Sequence, residues 1–124
     1  MTAIDVFRND PNVRPFSAGE AFFEEGATEH ETMYVVLEGE VDIVANGKTL
    51  ETVGPGGIFG EMALVDKGVR SAAAVAKTKG RIVVITEKRF LYLIRNTPFF
   101  AIDVMKTLVR RLRRMDDRLK TPSI

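Results

Sequence analysis

Short apolar runs separated by turn residues limit this chain to folds that are rich in antiparallel β-structure. The runs extend from Val13 to Val53, and their length favours strands over helices. The dipeptide Asn46-Gly47 predicts a tight hairpin between strands at 40–45 and 48–53, because both turn residues tolerate positive φ. The nearly continuous apolar run from Thr32 to Leu37 predicts a strand that is buried on both faces.

The second half of the chain predicts two further strands followed by two helices. The strands are expected at 71–76 and 80–85, and the second of them is rich in β-branched residues. Thr86 has the side chain of an N-cap for a helix over 87–95. A last helix is expected over 98–119, because proline is favoured at a first helical position.

The last helix combines an apolar seam with a strongly basic charge. Apolar residues recur at steps of 3, 4, 3 and 4, the pattern of a heptad seam, at Met105, Leu108, Leu112, Met115 and Leu119. Such a seam packs either on the rest of the domain or on a second copy of the chain. Residues 106–120 include seven basic and two acidic residues. Clustered cations are one way to bind nucleic acid, but we expect a solvated helix face, because no aromatic residues are interleaved for base stacking.

Length and composition indicate one globular domain without thiol chemistry. The 124 residues suit a single domain, and we take residues 1–124 as one unit. There is no cysteine, which excludes disulfides, thiolate zinc sites and a cysteine nucleophile. No apolar run approaches the ~20 residues of a membrane span, and the first residues lack the pattern of a signal peptide. We therefore expect a cytoplasmic protein.

Residues 57–72 bring together the groups that a phosphate and a sugar require. Gly60 can take backbone dihedrals that other residues avoid, which lets the chain approach a ligand closely. A helical turn beginning at Glu61 would leave its first N–H groups free for an anion such as phosphate. Arg70 brings a planar fork of donors suited to paired phosphate oxygens, and Ser71 adds a hydroxyl. The Glu61 carboxylate would repel a phosphate but can accept hydrogen bonds from sugar hydroxyls, so the pattern describes a nucleotide site. The other interpretation of Glu61 is a structural pair with a nearby basic group.

Two parts of the sequence resemble the cyclic nucleotide-binding domain family. The family's phosphate-binding cassette is similar to Phe59-Gly60-Glu61-Met62-Ala63-Leu64 and, after a short gap, Arg70-Ser71-Ala72. A strand–glycine–strand run typical of the same domain is similar to Tyr34-Val35-Val36-Leu37-Glu38-Gly39-Glu40-Val41. The resemblance covers roughly Phe16 to Leu119. Many members have proline where Val69 stands here, a departure that loosens the loop but removes no ligand contact.

The resemblance implies a fold and a set of ligand residues. The fold would be a small antiparallel β-roll of the jelly-roll type over about 13–86, flanked by helices and ending in a long lid helix. The cassette residues that would contact the ligand are Gly60, Glu61, Met62, Ala63, Arg70 and Ser71. The residues that match base contacts of the family are Ile43, Leu50, Met115 and Asp116. Apolar strand residues are more often core than ligand contacts, so the first two have both interpretations.

The function implied by the resemblance is binding of a cyclic nucleotide, with cAMP favoured over cGMP, and signalling by movement of the C-terminal helix. In the family, threonine beside the arginine tends to favour the guanine nucleotide and alanine the adenine one, so Ser71 does not decide between them. The alternative is a degenerate domain that binds no nucleotide and acts as a dimerising adaptor. The expected partners are a second copy through the last helix and a downstream protein, and no cofactor is expected besides the ligand.

The sequence lacks the residues that a catalytic site or a metal site would need. His30 is the only histidine, and its position in an acidic loop suggests a surface residue. A metal site needs several ligands, and a Ser/His/Asp set cannot form around one loop histidine. We therefore expect neither an enzyme nor a metalloprotein, and the sugar isomerases and metal-dependent oxygenases built on similar β-barrels are disfavoured.

Overall fold

The structure is a computed structural model that describes residues 3–119, and the side chains of residues 5–115. The strands of the described chain are β1 (Val13–Phe16), β2 (Ala21–Phe23), β3 (Thr32–Glu38), β4 (Val41–Ala45), β5 (Lys48–Val53), β6 (Ile58–Phe59), β7 (Ala73–Ala76) and β8 (Gly80–Thr86). The helices are α1 (Ala3–Phe7), α2 (Glu61–Asp66), α3 (Glu87–Asn96) and α4 (Pro98–Leu119). The predicted strands and helices agree with these bounds to within two residues.

The strands form two four-stranded sheets with the orders β1-β8-β3-β6 and β2-β7-β4-β5. Every strand pair is antiparallel, which confirms the predicted β-roll of the jelly-roll type. Asn46 and Gly47 have φ values of 53° and 74°, as the predicted turn between β4 and β5 requires. Strand β6 was not predicted; its two residues pair with Tyr34 and Val35 of β3.

Strand β3 divides the core in two because successive side chains point to opposite faces. Met33 and Val35 belong to a cluster that includes buried residues of α1, α3 and α4. Tyr34 and Val36 belong to a second cluster, to which both sheets contribute. The Tyr34 ring stacks on Phe59 of β6, with 4.8 Å between the ring centroids. β3 is therefore buried on both faces, as predicted, and it fixes β6 and the start of α2 in place.

The two C-terminal helices begin where the sequence predicted. The Thr86 hydroxyl accepts a hydrogen bond from the Arg89 amide at 3.3 Å, and it caps α3. Helix α4 begins at Pro98, and its residues Phe100 and Val104 are buried in the cluster shared with α3. In the part of the chain that the structure describes, no helix has the length and apolar character to cross a membrane.

The residues of the apolar seam predicted for α4 do not all pack against the domain. Leu108 packs against the core, whereas Met105, Leu112 and Met115 are exposed to 51%, 57% and 41%. Leu119 lies outside the residues whose side chains are described. Phe100 and Val104 pack into the core, so the helix turns toward the β-roll a side that differs from the predicted seam.

Helix α4 consequently carries an exposed stripe, which we define as Ile102, Met105, Val109 and Leu112. These four residues follow one another at steps of 3, 4 and 3, so they lie along one side of the helix. The opposite side, which faces the β-roll, includes the buried Thr107 and the largely buried Arg111.

Candidate functional site

A small cavity of about 60 Å³ lies where the predicted cassette meets helix α4. It is lined by all six cassette residues predicted to contact a ligand, which are Gly60, Glu61, Met62, Ala63, Arg70 and Ser71. The other lining residues are Phe23, Ile43, Phe59, Ala72 and Arg111. The structure therefore brings the whole predicted cassette to one place, and adds one residue from α4.

Gly60 lets the chain turn from β6 into α2 directly beside Arg70. Its φ of 83° lies in the left-handed region, and it stands at the N-cap of α2. A Cβ at this position would lie 3.2 Å from Arg70 Nη1 and 3.3 Å from the carbonyl oxygen of Thr32. Glycine is therefore required both by the backbone conformation and by the close approach of the arginine.

The guanidinium of Arg70 is buried and bonded mainly to backbone oxygens. Nη1 donates to the Gly60 carbonyl and Nη2 to the Thr32 carbonyl, both at 2.8 Å. Nη2 also donates to Glu29 Oε2 at 3.1 Å, and the guanidinium carbon lies 4.1 Å from the centroid of the Phe23 ring. Only 1% of the side chain is exposed. These contacts fix the orientation of Arg70 independently of any ligand.

The acidic loop before β3 holds the backbone of Arg70 as well as its side chain. The Arg70 amide donates to the Ala27 carbonyl at 2.8 Å, and the Gly26 amide donates to the Arg70 carbonyl at 2.7 Å. Burial raises the pKa of Glu29, but the hydrogen bond from Arg70 contributes to a net pKa below the usual value. His30, predicted to be a surface residue, is half-buried, and its Nδ1 has no hydrogen-bond partner among the described residues.

Glu61 is fully buried at the first position of α2 and is paired with an arginine from the other end of the domain. Arg111 Nη1 donates to Glu61 Oε1. Arg111 Nη2 donates to the Ile58 carbonyl at 2.8 Å, so the same guanidinium also bonds the strand that leads into the cassette. The prediction of a solvated basic face on the last helix is therefore wrong for Arg111, because a buried carboxylate requires a partner.

The Glu51 carboxylate on β5 forms ion pairs with three arginines of α4. It accepts hydrogen bonds from Arg111 Nε at 3.0 Å, Arg114 Nη1 at 3.0 Å and Arg110 Nη2 at 3.1 Å. Burial would raise the pKa of Glu51, but the bonds and charges of these arginines hold that pKa below its usual value. Burial likewise disfavours the charged form of Arg111, yet the charges of Glu61 and Glu51 raise its pKa. The contact between β5 and α4 is therefore ionic.

Two residues that line the cavity each have a buried polar atom with no hydrogen-bond partner among the described residues. The two atoms are Arg70 Nε, a donor, and Glu61 Oε2, an acceptor. Both side chains are almost fully buried. An unpaired buried polar group is costly, so such atoms usually mark a ligand or water position. A ligand that offered an acceptor to Arg70 Nε and a donor to Glu61 Oε2 would satisfy both atoms.

The predicted base contacts fall in different places. Ile43 lines the cavity, whereas Leu50 and Met115 are not among the lining residues. Leu50 instead offers its carbonyl oxygen to Arg114 Nη1 at 3.3 Å. Asp116 lies on α4, outside the residues whose side chains are described.

Sequence reasoning missed two of the lining residues, Phe23 and Arg111. Phe23 falls in the region of short apolar runs between Val13 and Val53, and nothing in the sequence pairs it with Arg70. Arg111 was one of several arginines in a basic run, and no spacing rule distinguishes it from its neighbours. The one available clue was the buried acid that it pairs with, since a carboxylate buried in the cassette needs a cation.

The cyclic nucleotide-binding domain profile matches residues 13–97, more than half of the chain. The chain belongs to the cyclic nucleotide-binding domain family. Within this family it is 35% identical over 108 residues to the cyclic AMP receptor protein of Thermus thermophilus, covering 83% of this chain and 50% of the relative. It is 31% identical over 110 residues to the cAMP-dependent protein kinase regulatory subunit of Schizosaccharomyces pombe, covering 88% of this chain and 26% of the relative. This cyclic nucleotide-binding domain thus spans half or less of these curated relatives.

Solved structures show the same fold. The crystal structure of the Thermus thermophilus catabolite activator protein has a TM-score of 0.75 and 36% identity, covering 86% of this chain and 52% of that one. A structure associated with a cyclic-GMP-dependent signalling pathway that regulates bacterial phytopathogenesis has a TM-score of 0.73 and 29% identity. The similarity to that structure covers 90% of this chain and 94% of the other.

The pKa of Glu51 gives a pH test of the contact between β5 and α4. A carboxyl whose folded pKa is lowered contributes stability above its unfolded value, about 4.5, and loses it as the pH falls through the folded value. We therefore expect Glu51→Gln to lower the melting temperature at pH 7 and to flatten its fall below about pH 4.5. Glu38→Gln, at an exposed ion pair with Arg81, should change the profile much less. Parallel profiles for the parent and Glu51→Gln, measured by circular dichroism, would contradict this assignment.

Proposed function

We propose that this chain binds a cyclic nucleotide, in preference cAMP, in the cavity between the cassette and α4. The observation that carries the proposal is the pair of unsatisfied buried atoms, Arg70 Nε and Glu61 Oε2, which belong to two residues that line the cavity. A nucleotide supplies what both lack, since its phosphate oxygens accept hydrogen bonds and its ribose hydroxyl donates one. Membership of the family supports the same ligand class.

Each cassette residue then has a separate role. Arg70 would donate from Nε to the phosphate, while its Nη atoms keep their bonds to the Gly60 and Thr32 carbonyls. Ser71, which is exposed at the cavity edge, would add a hydroxyl to the same anion. Glu61 would accept from the ribose hydroxyl, and Ile43 would contact the base. Such a site binds a phosphodiester by preformed donors and supplies no acid–base pair to hydrolyse it.

The choice of cAMP over cGMP rests on the relatives. Two curated relatives carry cyclic AMP in their names, a receptor protein and a kinase regulatory subunit. One similar structure instead belongs to a cyclic-GMP-dependent pathway. Ser71 favours neither base, so cAMP is the first choice and cGMP the competitor. The cytoplasmic location expected from the sequence stays a prediction.

A nucleotide needs more room than this cavity offers, and α4 is the element whose movement would provide it. Ligand pockets usually measure about 300 Å³ or more, whereas this cavity measures about 60 Å³. Arg111 is the lining residue that comes from α4, and the junction before that helix, Asn96-Thr97-Pro98, lacks helical continuity at Thr97. We propose that α4 pivots at this junction when the nucleotide enters. The ligand drives the movement only through its higher affinity for the open state.

The same small volume favours the alternative function, a dimerising adaptor whose site is filled by its own side chains. The distinguishing property is whether Arg111 can leave Glu61. If the guanidinium withdraws, the cavity gains the room and the acceptor that a nucleotide needs. If it stays, the domain is closed permanently. Binding measured on the intact chain separates the two functions.

Replacing Arg70 with lysine should weaken binding of cAMP at least tenfold. Lysine keeps the charge but has neither the planar fork nor the Nε donor. A hydrogen bond to a charged group contributes about 1.5–3 kcal/mol, and about 1.4 kcal/mol corresponds to a tenfold change in Kd. Isothermal titration calorimetry of the full chain with cAMP measures the change, with a thermal melt to confirm that the variant is folded.

Arg81→Lys is the matched control for this experiment. Arg81 lies on β8, is partly exposed and pairs with Glu38 outside the cavity. It should leave the affinity for cAMP unchanged within about twofold. A folded Arg70→Lys variant that binds cAMP as tightly as the parent would refute the assignment of the phosphate site.

We also propose that a second copy of the chain covers the exposed stripe of α4. Exposed apolar stripes of this kind mark interaction surfaces, and the steps of 3, 4 and 3 suit helix pairing. Val109, near the middle of the stripe, is exposed to 46%. Sedimentation equilibrium should show a dimer for the parent and a monomer for Val109→Glu, while Lys88→Glu, at an exposed position of α3, should keep the dimer. A parent chain that stays monomeric at high concentration would contradict the proposal.

A further inference from the structure

We propose that the outward side of α3 is a docking surface for an acidic amphipathic helix of another protein. This surface, which we call the α3 face, consists of Lys88, Leu91, Tyr92 and Arg95. The inference goes beyond cyclic nucleotide binding, because none of these residues lines the cavity beside the cassette. It gives a chemical description of the downstream protein that we expect from the sequence.

Helix geometry brings the residues of the α3 face to one side of α3. They stand at positions i, i+3, i+4 and i+7, which share one side of an α-helix. The opposite side includes Phe90 and Leu93, which are buried in the core. The α3 face therefore points to solvent, with two apolar side chains in its middle and one cation at each end.

The middle of the α3 face exposes two large side chains. Leu91 is 59% exposed and Tyr92 is 64% exposed. Among the described residues, the Tyr92 ring has no ring partner and its hydroxyl has no hydrogen-bond partner. Tyrosine and arginine are the residue types in which binding hot spots are enriched. The α3 face therefore has the composition of a protein–protein contact.

The cations at the two ends of the α3 face are free of intramolecular carboxylates. Lys88 and Arg95 are exposed and form no ion pair with any residue that the structure describes. The other two charged side chains of the helix, Glu87 and Arg89, already have partners. The α3 face thus has an uncompensated positive charge on each side of its apolar middle, and about 10 Å separate the two positions along the helix at ~1.5 Å per residue.

A shallow groove extends the α3 face toward the start of β3. Its lining includes Lys88, Leu91, Glu31 and Thr32. The groove offers room for an apolar side chain of the partner beside Leu91. Because Glu31 would repel an acid there, the partner's carboxylates fit only over Lys88 and Arg95.

The chemistry of the α3 face selects an acidic helix over other occupants. A second copy of the chain does not fit, because the exposed stripe of α4 is bordered by Lys106 and Arg113, and the acidic loop at 24–31 has no large apolar residue. A membrane fits poorly, since helices that lie on membranes bury a whole apolar side. A helix with carboxylates at i and i+7 and apolar residues at i+3 and i+4 matches both the charges and the apolar middle.

Binding of two synthetic peptides to the full chain tests the proposal. The acidic peptide carries Glu at i and i+7 and Leu at i+3 and i+4, and it is about 18 residues long so that it can form a helix. The basic peptide has Lys in place of each Glu. Fluorescence anisotropy should show that the parent binds the acidic peptide at least about tenfold more tightly than the basic one, because only the acidic peptide is complementary in charge.

Reversing the charge at both ends of the α3 face should invert this preference. Lys88→Glu combined with Arg95→Glu should bind the basic peptide more tightly than the acidic one. Leu91→Ser combined with Tyr92→Ser should weaken binding of the acidic peptide at least about tenfold, because the apolar contact is lost. A thermal melt confirms that each variant is folded, and either pair of substitutions alone is sufficient for the test.

The matched control reverses two charges elsewhere on the surface. Lys77→Glu combined with Lys79→Glu changes two exposed lysines of the turn between β7 and β8, and it should keep the preference of the parent. Equal binding of the two peptides by the parent would overturn the proposal. So would binding of the acidic peptide that persists in both folded α3 variants and is lost in Lys106→Glu combined with Arg113→Glu, because the peptide would then lie on α4.

A membrane surface is separated from a protein partner by vesicles of phosphatidylcholine and phosphatidylserine. Co-sedimentation of the parent with these vesicles, without binding of either peptide, would assign the α3 face to a membrane and overturn the proposal. None of these measurements includes a nucleotide. Their failure therefore leaves the proposed cyclic nucleotide binding unaffected, and a failure of nucleotide binding leaves this inference unaffected.

Discussion

Burial of two opposite charges next to Gly60 is the constraint on which the rest of this domain depends. Arg70 and Glu61 are both almost fully buried, and isolated buried charges are too costly to persist. The fold satisfies Arg70 with the Thr32 and Gly60 carbonyls, which requires β3, β6 and the loop at residues 26–29 to meet at one point. The glycine has no alternative here, because of its positive φ and its distance from the guanidinium. A ligand site prepared in this way costs little to organise at the moment of binding.

The charge of Glu61 is satisfied differently from that of Arg70, because its partner comes from α4 and not from the β-roll. Arg70 is held by backbone oxygens of the β-roll, so it stays in place when helices move. Glu61 is held by Arg111 from α4, a helix that contacts the roll through the ionic cluster at Glu51 and a few apolar side chains. Ionic contacts of this type exchange partners more readily than packed cores do, since one acceptor can replace another. Under the proposed function, the phosphate side of the site is therefore held by the β-roll and the sugar side by α4.

Local patterns were sufficient to predict most of the fold. The φ values of Asn46-Gly47 and the capping hydroxyl of Thr86 depend on neighbouring residues alone, and both were predicted correctly. Strand β6 was missed because two residues carry no periodicity; it exists through pairing with β3 and stacking of Phe59 on Tyr34. The sequence also could not predict the rotation of α4 about its axis. The heptad pattern fits two adjacent faces of the helix, and packing on the β-roll selects one of them.

The site residues likewise divide into those that a short sequence motif predicts and those that only the folded chain brings to the cavity. Gly60, Glu61 and Arg70 lie within eleven positions and match a cassette, so their convergence was predictable. The pairing of Glu61 with Arg111 spans 50 positions of the sequence. Several arginines of that run have the same charge and similar spacing, and only the packed helix decides which of them reaches the cavity. What the sequence could not indicate is thus the closed state of the site.

The most direct test of the central claim is a thermal-shift measurement on the intact chain with cAMP, cGMP, linear AMP and buffer. A ligand that binds the folded state raises the melting temperature, and the rise grows with the logarithm of the ligand concentration relative to Kd. The account predicts a clear rise with cAMP, a smaller one with cGMP and almost none with linear AMP, whose terminal phosphate does not match a site built for a cyclised ester. No rise with either cyclic nucleotide, or an equal rise with linear AMP, would contradict it.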